Sequence, residues 1–199
     1  MRQWMIYGAN GYAGKLLARA AAERGLQPVL AGRNRSAVAA LAAELSLPHR
    51  CFDLSQPEQV RENLQGMQVV LHCAGPFSAT SQPLIDACLT TGCHYLDITG
   101  EIDVFVAAQS RQAEAEQAGI VICPGVGFDV IPTDCIAARL KLALHDADRL
   151  ALGFDTVSSL SPGTARTSAR RSTSVAEAAA PRVSSASVIK GSNALRNSR

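Results

Sequence analysis

Seven residues near the start of the chain have types and spacing suited to holding phosphate. Gly8-Ala9-Asn10-Gly11-Tyr12-Ala13-Gly14 reads G-x-x-G-x-x-G, directly after the apolar run Trp4–Tyr7 and before a segment of helical period. Gly8 permits a sharp exit from a strand, Gly11 lets the backbone approach a pyrophosphate, and Gly14 lets the following helix pack closely. The amides at that helix start, with its partial positive charge, would then bind the phosphates. A purely structural turn is the competing reading, and the position in a strand-turn-helix argues against it.

The end of the second strand selects among dinucleotides. An acid there, about 20 residues past the glycines, commonly binds a ribose 2′-hydroxyl. Here Val29-Leu30-Ala31 runs into Gly32-Arg33-Asn34-Arg35-Ser36, with no acid. Two guanidiniums and a hydroxyl suit a 2′-phosphate, which points to NADP(H). The alternative is a solvated basic loop. Two further strand ends should border the cofactor: Asp53-Leu54 on the adenine side, and Ala74-Gly75-Pro76-Phe77 near the nicotinamide ribose. A plain turn accounts equally well for Gly75-Pro76 in isolation.

Candidate proton-transfer groups are Tyr95, Asp97, Glu101 and Asp129, expected near the carboxyl ends of the fifth and sixth strands. For Asp97 and Asp129, the favoured reading is that they hold loops by accepting backbone N–H bonds. Cys123-Pro124-Gly125 could border the same region. A Tyr with a Lys four residues later would mark a short-chain dehydrogenase, but Tyr7, Tyr12 and Tyr95 are followed at that distance by Gly11, Leu16 and Thr99. His49, His72, His94 and His145 are dispersed, and the six cysteines form no C-x-x-C pair. No metal site is expected.

The elements that position these residues alternate. Strands are expected over Trp4–Tyr7, Pro28–Ala31, Arg50–Phe52, Val69–Cys73, Tyr95–Ile98, Ile120–Cys123 and Arg149–Phe154. Helices are expected over Tyr12–Arg24, Ala37–Leu45, Pro57–Leu64, Pro83–Thr90, Val104–Gln117 and Thr133–Leu144. Ser55 should cap the third helix, with Glu58 completing a capping box. Gly25, Gly66, Gly92 and Gly119 each follow a helical run, as C-terminal caps do. Strands joined through helices build a parallel sheet covered on both faces. The expected fold is therefore α/β: a Rossmann-type doubly wound parallel sheet over 1–148, with only the beginning of a second α+β domain over 149–164.

The remaining segment, 165–199, is rich in Ser, Ala and Arg and reads as a disordered tail. Net charge divides unevenly. Residues 1–164 hold 12 Lys and Arg against 16 Asp and Glu, whereas 165–199 hold 7 against 1. The body thus offers no broad basic surface, and nucleic-acid binding would rest on tail charge without aromatic residues for stacking. No apolar run approaches the ~20 residues of a membrane span. The start is too short in apolar residues for a signal peptide, so a reduced cytoplasmic protein is expected.

Five motifs in order carry a resemblance: Tyr7–Gly14, Ala31-Gly32-Arg33-Asn34, Cys73-Ala74-Gly75-Pro76-Phe77, His94–Glu101 and Pro124–Asp134. Together they resemble the saccharopine dehydrogenase-like oxidoreductases, a group that includes trans-acting enoyl reductases. The resemblance runs to about Thr167 and implies an NADP(H)-binding first domain. It also implies a second α+β domain that completes a substrate cleft and often a dimer interface. Members of that group are roughly twice as long, a second domain of ordinary size, so a truncation or frameshift after about residue 167 is expected.

Two functions compete on these grounds. One is NADP-dependent hydride transfer with a small organic substrate, as a homodimer if a second domain were present. The other is a non-catalytic NADP-binding module, either a redox-sensing regulator or an inactive remnant.

Overall fold

The computed structural model describes residues 3–128, 130–151 and 187–189. Two compact units divide the chain, Met1–Gly127 and Phe128–Arg199. The first runs β1 (Gln3–Tyr7), α1 (Tyr12–Glu23), β2 (Val29–Gly32), α2 (Arg35–Leu45), β3 (His49–Cys51) and α3 (Pro57–Leu64). It continues with β4 (Met67–His72), α4 (Phe77–Thr91), β5 (His94–Asp97), α5 (Ile102–Ser110), α6 (Gln112–Ala118) and β6 (Ile122–Cys123). All six strands pair in parallel in the order β3-β2-β1-β4-β5-β6. That order is the Rossmann arrangement, with the chain reversing direction across the sheet between β1 and β4.

Strand periodicity sorts the core into two layers. Met5, Tyr7, Val29 and Ala31 bury on one face with Val60, Leu64, Leu84 and Ile85 of α3 and α4. Ile6 and Leu30 bury on the other with Ala18, Val38 and Leu41 of α1 and α2. Successive residues of β1 and β2 thus serve opposite layers, as period-two side chains must. In the second unit, α7 (Ile131–Ala143) precedes β7 (Arg149–Ala151), which pairs antiparallel with β8 (Ser187–Ile189). Residues 152–154 of the expected last strand, and most of the expected tail, lie outside the described residues.

Several expected boundaries move, each for a physical reason. Helix α4 begins at Phe77 rather than at Pro83, because the Glu101 carboxylate accepts from the Phe77 and Ser78 amides, both at 3.0 Å. Pro83 lies inside the helix, where its missing N–H forfeits one bond. The expected Val104–Gln117 helix is two helices. The break falls at Arg111, whose guanidinium bonds both Asp86 on α4 and Glu114. Ser55 does not cap α3: the N-cap is Gln56, while the Ser55 amide donates to Asp53 Oδ1 at 2.8 Å.

The connection after β4 hangs on a buried imidazole. His72 has no exposed surface, and its ring lies 5.8 Å from Tyr7, 5.1 Å from Phe77 and 6.1 Å from Tyr95, centroid to centroid. Its Nε2 is 2.9 Å from Thr80 Oγ1. The single Thr80 hydroxyl proton already faces two acceptors, Ala74 O at 2.7 Å and Pro76 O at 2.9 Å. Nε2 must therefore donate, and the ring is the neutral Nε2–H tautomer. Nδ1 is left to accept a long 3.5 Å bond from the Ala74 amide.

Burial lowers the His72 pKa to about 3. The unfolded chain, with a pKa near 6.5, binds this proton first, so stability falls as pH drops below about 6.5. The maximum slope is ~1.4 kcal/mol per pH unit. His72→Gln removes this dependence, so the stability gap between wild type and variant should narrow by about 2 kcal/mol between pH 6.5 and 4.5. Urea unfolding across that range measures it, and a constant gap would refute the neutral buried assignment.

Candidate functional site

The glycine turn is built against two neighbouring segments. The Gly8 and Ala9 amides both donate to Ala31 O, at 2.8 and 3.0 Å, which ties the turn to β2. Gly8 has φ +83°, and a Cβ there would lie 2.8 Å from both the Cβ and the amide nitrogen of Ala74. At Gly14 a Cβ would overlap Gly8 O and sit 2.8 Å from Ala9 Cα. The turn is thus closed by backbone on backbone. Gly11 is the N-cap of α1, and among the described residues no side chain caps the helix. The first helical amides have no intrahelical acceptor and could bind an anion. Tyr12 is exposed, Ala13 half-buried and Gly14 buried. Asn10 approaches β2 with its Oδ1, 3.0 Å from where a Gly32 Cβ would lie.

Beyond β2, Arg33, Asn34 and Arg35 are exposed. Asn34 is the N-cap of α2 and accepts from the Ala37 amide at 3.1 Å and from Ser36 Oγ at 3.0 Å. Arg35 is the first residue of that helix. Asp53 is half-buried, and Leu54 is buried in the core layer of α3 and α4. The Asp53 carboxyl is held below its ordinary pKa, first by the Ser55 amide and hydroxyl and further by the Arg33 guanidinium. Arg33 and Asp53 therefore flank one corner of the sheet edge, next to the glycine turn.

Across β1, Ala74-Gly75-Pro76-Phe77 leaves β4 with a cis Gly75–Pro76 bond. Gly75 is exposed, and Ala74, Pro76 and Phe77 are half-buried. This segment is fixed from below by Thr80 and from the side by Glu101, whose two carboxylate oxygens are both occupied as described above. The adjacent Cys73 thiol is pushed up to about 12 by burial, with Asp97 adding to the shift, so it is no nucleophile near neutral pH.

Asp97 is a buried junction. Its Oδ2 accepts from Tyr95 Oη at 2.7 Å, and its Oδ1 accepts from the amides of Thr99 at 2.9 Å and Gly125 at 2.8 Å. Its backbone oxygen accepts from Val126 at 2.7 Å. Burial raises its pKa against the lowering effect of those three bonds. Burial, with the Asp97 charge, likewise drives the Tyr95 hydroxyl far up. Gly125 has φ +72°, and a Cβ there would lie 2.7 Å from Phe105 Cε1. The geometry therefore commits Tyr95, Asp97 and Glu101 to internal bonds, whereas Asp129 lies outside the described residues.

Nothing in the sequence assigns a role to His72, Thr80 or Thr99, whereas Gly125 belongs to the Cys123-Pro124-Gly125 segment expected to border this region. The first two meet through the fold, and no periodic signal links them. Among the described residues, no group of three or more His, Cys, Asp or Glu is placed to hold a metal ion. No helix among them is long and apolar enough to cross a membrane. Surface cavities of about 330 and 370 Å³ lie between α4 and α6 and between α3 and α4, away from the glycine turn.

The arrangement fits a dinucleotide with a 2′-phosphate: a turn with no room for a Cβ at Gly8 or Gly14, a helix start that no described side chain caps, and Arg33 in place of an acid. Comparison with known proteins agrees. The chain is 34% identical over 140 residues to a trans-acting enoyl reductase of Mycobacterium leprae, covering 65% of this chain and 33% of that protein. It is 30% identical over 147 residues to a probable mitochondrial saccharopine dehydrogenase-like oxidoreductase of Arabidopsis thaliana, covering 65% of this chain and 32% of that protein. The chain thus spans about a third of the length of these relatives. In fold it is similar to the apo saccharopine dehydrogenase (L-Glu forming) of Saccharomyces cerevisiae, with TM-score 0.62 and 14% identity. That superposition covers 73% of this chain and 32% of the yeast enzyme. Residues 4–123 match the saccharopine dehydrogenase NADP binding domain, and the chain belongs to that family.

Proposed function

We propose that this chain is the NADP(H)-binding part of an oxidoreductase that acts on a small organic substrate. The observation that carries the proposal is the uncapped start of α1 behind a turn with no room for a Cβ at Gly8 or Gly14, with Arg33 at the adjoining strand end. When bound, the dinucleotide supplies hydride transfer. The chain's own residues bind and orient it. Gly8 and Gly11 admit the pyrophosphate to the α1 amides, and Arg33 with Arg35 pairs the 2′-phosphate. Asp53 and the backbone at Leu54 line the adenine side, the Leu54 side chain being buried in the core, and Ala74–Phe77 supports the other half. All six cysteines are free thiols, which suits a reducing compartment such as the cytoplasm.

A second reading, binding without turnover, draws on a different observation. Tyr95, Asp97 and Glu101 spend their polar atoms on internal bonds. Titration with NADPH, followed by a screen for its oxidation with candidate carbonyl and enoyl substrates, separates the two. Binding with turnover supports the oxidoreductase, and binding alone supports the module.

Two variants test the cradle itself. Arg33→Asp should narrow or reverse the preference for NADPH over NADH, because one charge-assisted pair to the phosphate is worth about 1.5–3 kcal/mol. Fluorescence titration with both nucleotides reads this, and an unchanged ratio would move the contact to other residues. Gly14→Ala should cost about 1–3 kcal/mol of stability through backbone displacement at Gly8. Urea unfolding measures that loss, and NADPH affinity should fall more than tenfold, the equivalent of about 1.4 kcal/mol.

A further inference from the structure

We propose that Thr80, oriented by buried His72, is a positioning residue that sets the Ala74–Phe77 backbone for the nicotinamide half of the bound dinucleotide. This rests on the NADP(H) reading above and extends it to a side chain on α4. In a doubly wound sheet the ligand lies outside the carboxyl ends of the strands at the reversal point, here β1 and β4. The β2 side carries Arg33, so the β4 side faces the opposite half of the ligand.

Three features make Thr80 the controlling group. Its hydroxyl proton is shared by Ala74 O and Pro76 O, the carbonyls on either side of exposed Gly75. Its lone pair accepts from His72 Nε2, and that ring is immobilised among Tyr7, Phe77 and Tyr95. Ala74 in turn packs against Gly8, its Cβ 2.8 Å from where a Gly8 Cβ would lie, so this segment borders the glycine turn. A displaced Ala74–Phe77 backbone would misplace one half of the ligand and leave the contact at Arg33 intact.

The test uses the full chain and two ligands: NADPH, and 2′,5′-ADP, which carries the adenine half alone. Thr80→Val keeps the shape and deletes the hydroxyl, whereas Thr80→Ser keeps the hydroxyl. By calorimetric titration, Thr80→Val should raise the Kd for NADPH about fivefold, the scale of one neutral hydrogen bond, and leave 2′,5′-ADP within about twofold. Thr80→Ser should restore NADPH binding. If Thr80→Val does not fold, Thr80→Ala at this helical position is read in the same way. An unchanged NADPH Kd, an equal loss of both ligands, or failure of the Ser rescue overturns the proposal while leaving NADP(H) binding in place. A wild-type chain that takes up 2′,5′-ADP but not NADPH also overturns it. A wild-type chain that takes up neither overturns the proposed function itself.

Discussion

The backbone at Gly8 is the point on which the rest of the unit depends. Three segments converge there without space for a single methyl group: the end of β1, the start of α1 at Gly14, and the residue that follows β4. Two amides anchor the same point to β2 through Ala31 O. Once these backbones touch, the separations β2–β1 and β1–β4 are fixed, and the two side-chain layers have set volumes to fill. The close-packed layers then transmit any change at this point widely, because interiors of this density relax poorly.

What the sequence reveals and what it hides divides along contact range. The glycine turn, the alternation of strands with helices and the order of the motifs are local signals, and they led to the observed parallel sheet. The start of α4 was missed because its first amides are satisfied by Glu101, 24 residues away. Pro83 then read as a helix start when it is an interior residue. The break between α5 and α6 was missed for the same kind of reason: Arg111 answers to Asp86 on another helix. At Ser55 the local rule itself misled, since Asp53 offers the Ser55 amide a nearer acceptor than a capping box would.

The candidate site shows the same division more sharply. The glycines of the turn are legible because backbone geometry imposes residue type at set spacing. Acid–base candidates are not, because the same residue types also hold loops. Asp97 at the end of β5 and Glu101 at the N-cap of α5 illustrate this: each has both carboxylate oxygens bonded within the chain. His72 and Thr80 left no trace in sequence, since their partnership depends on an imidazole whose burial only the folded sheet creates.

The carboxylate of Glu101 has a consequence for where a negative ligand can settle. Two helices start beside the reversal point of the sheet, α1 and α4, and each start carries a partial positive charge. The chain has neutralised one of them from within, by laying Glu101 across the first amides of α4. The neighbouring start at α1 has no such counterion among the described residues. One helix end beside the reversal point is thus already discharged and the other is not, which leaves the sheet edge electrically asymmetric.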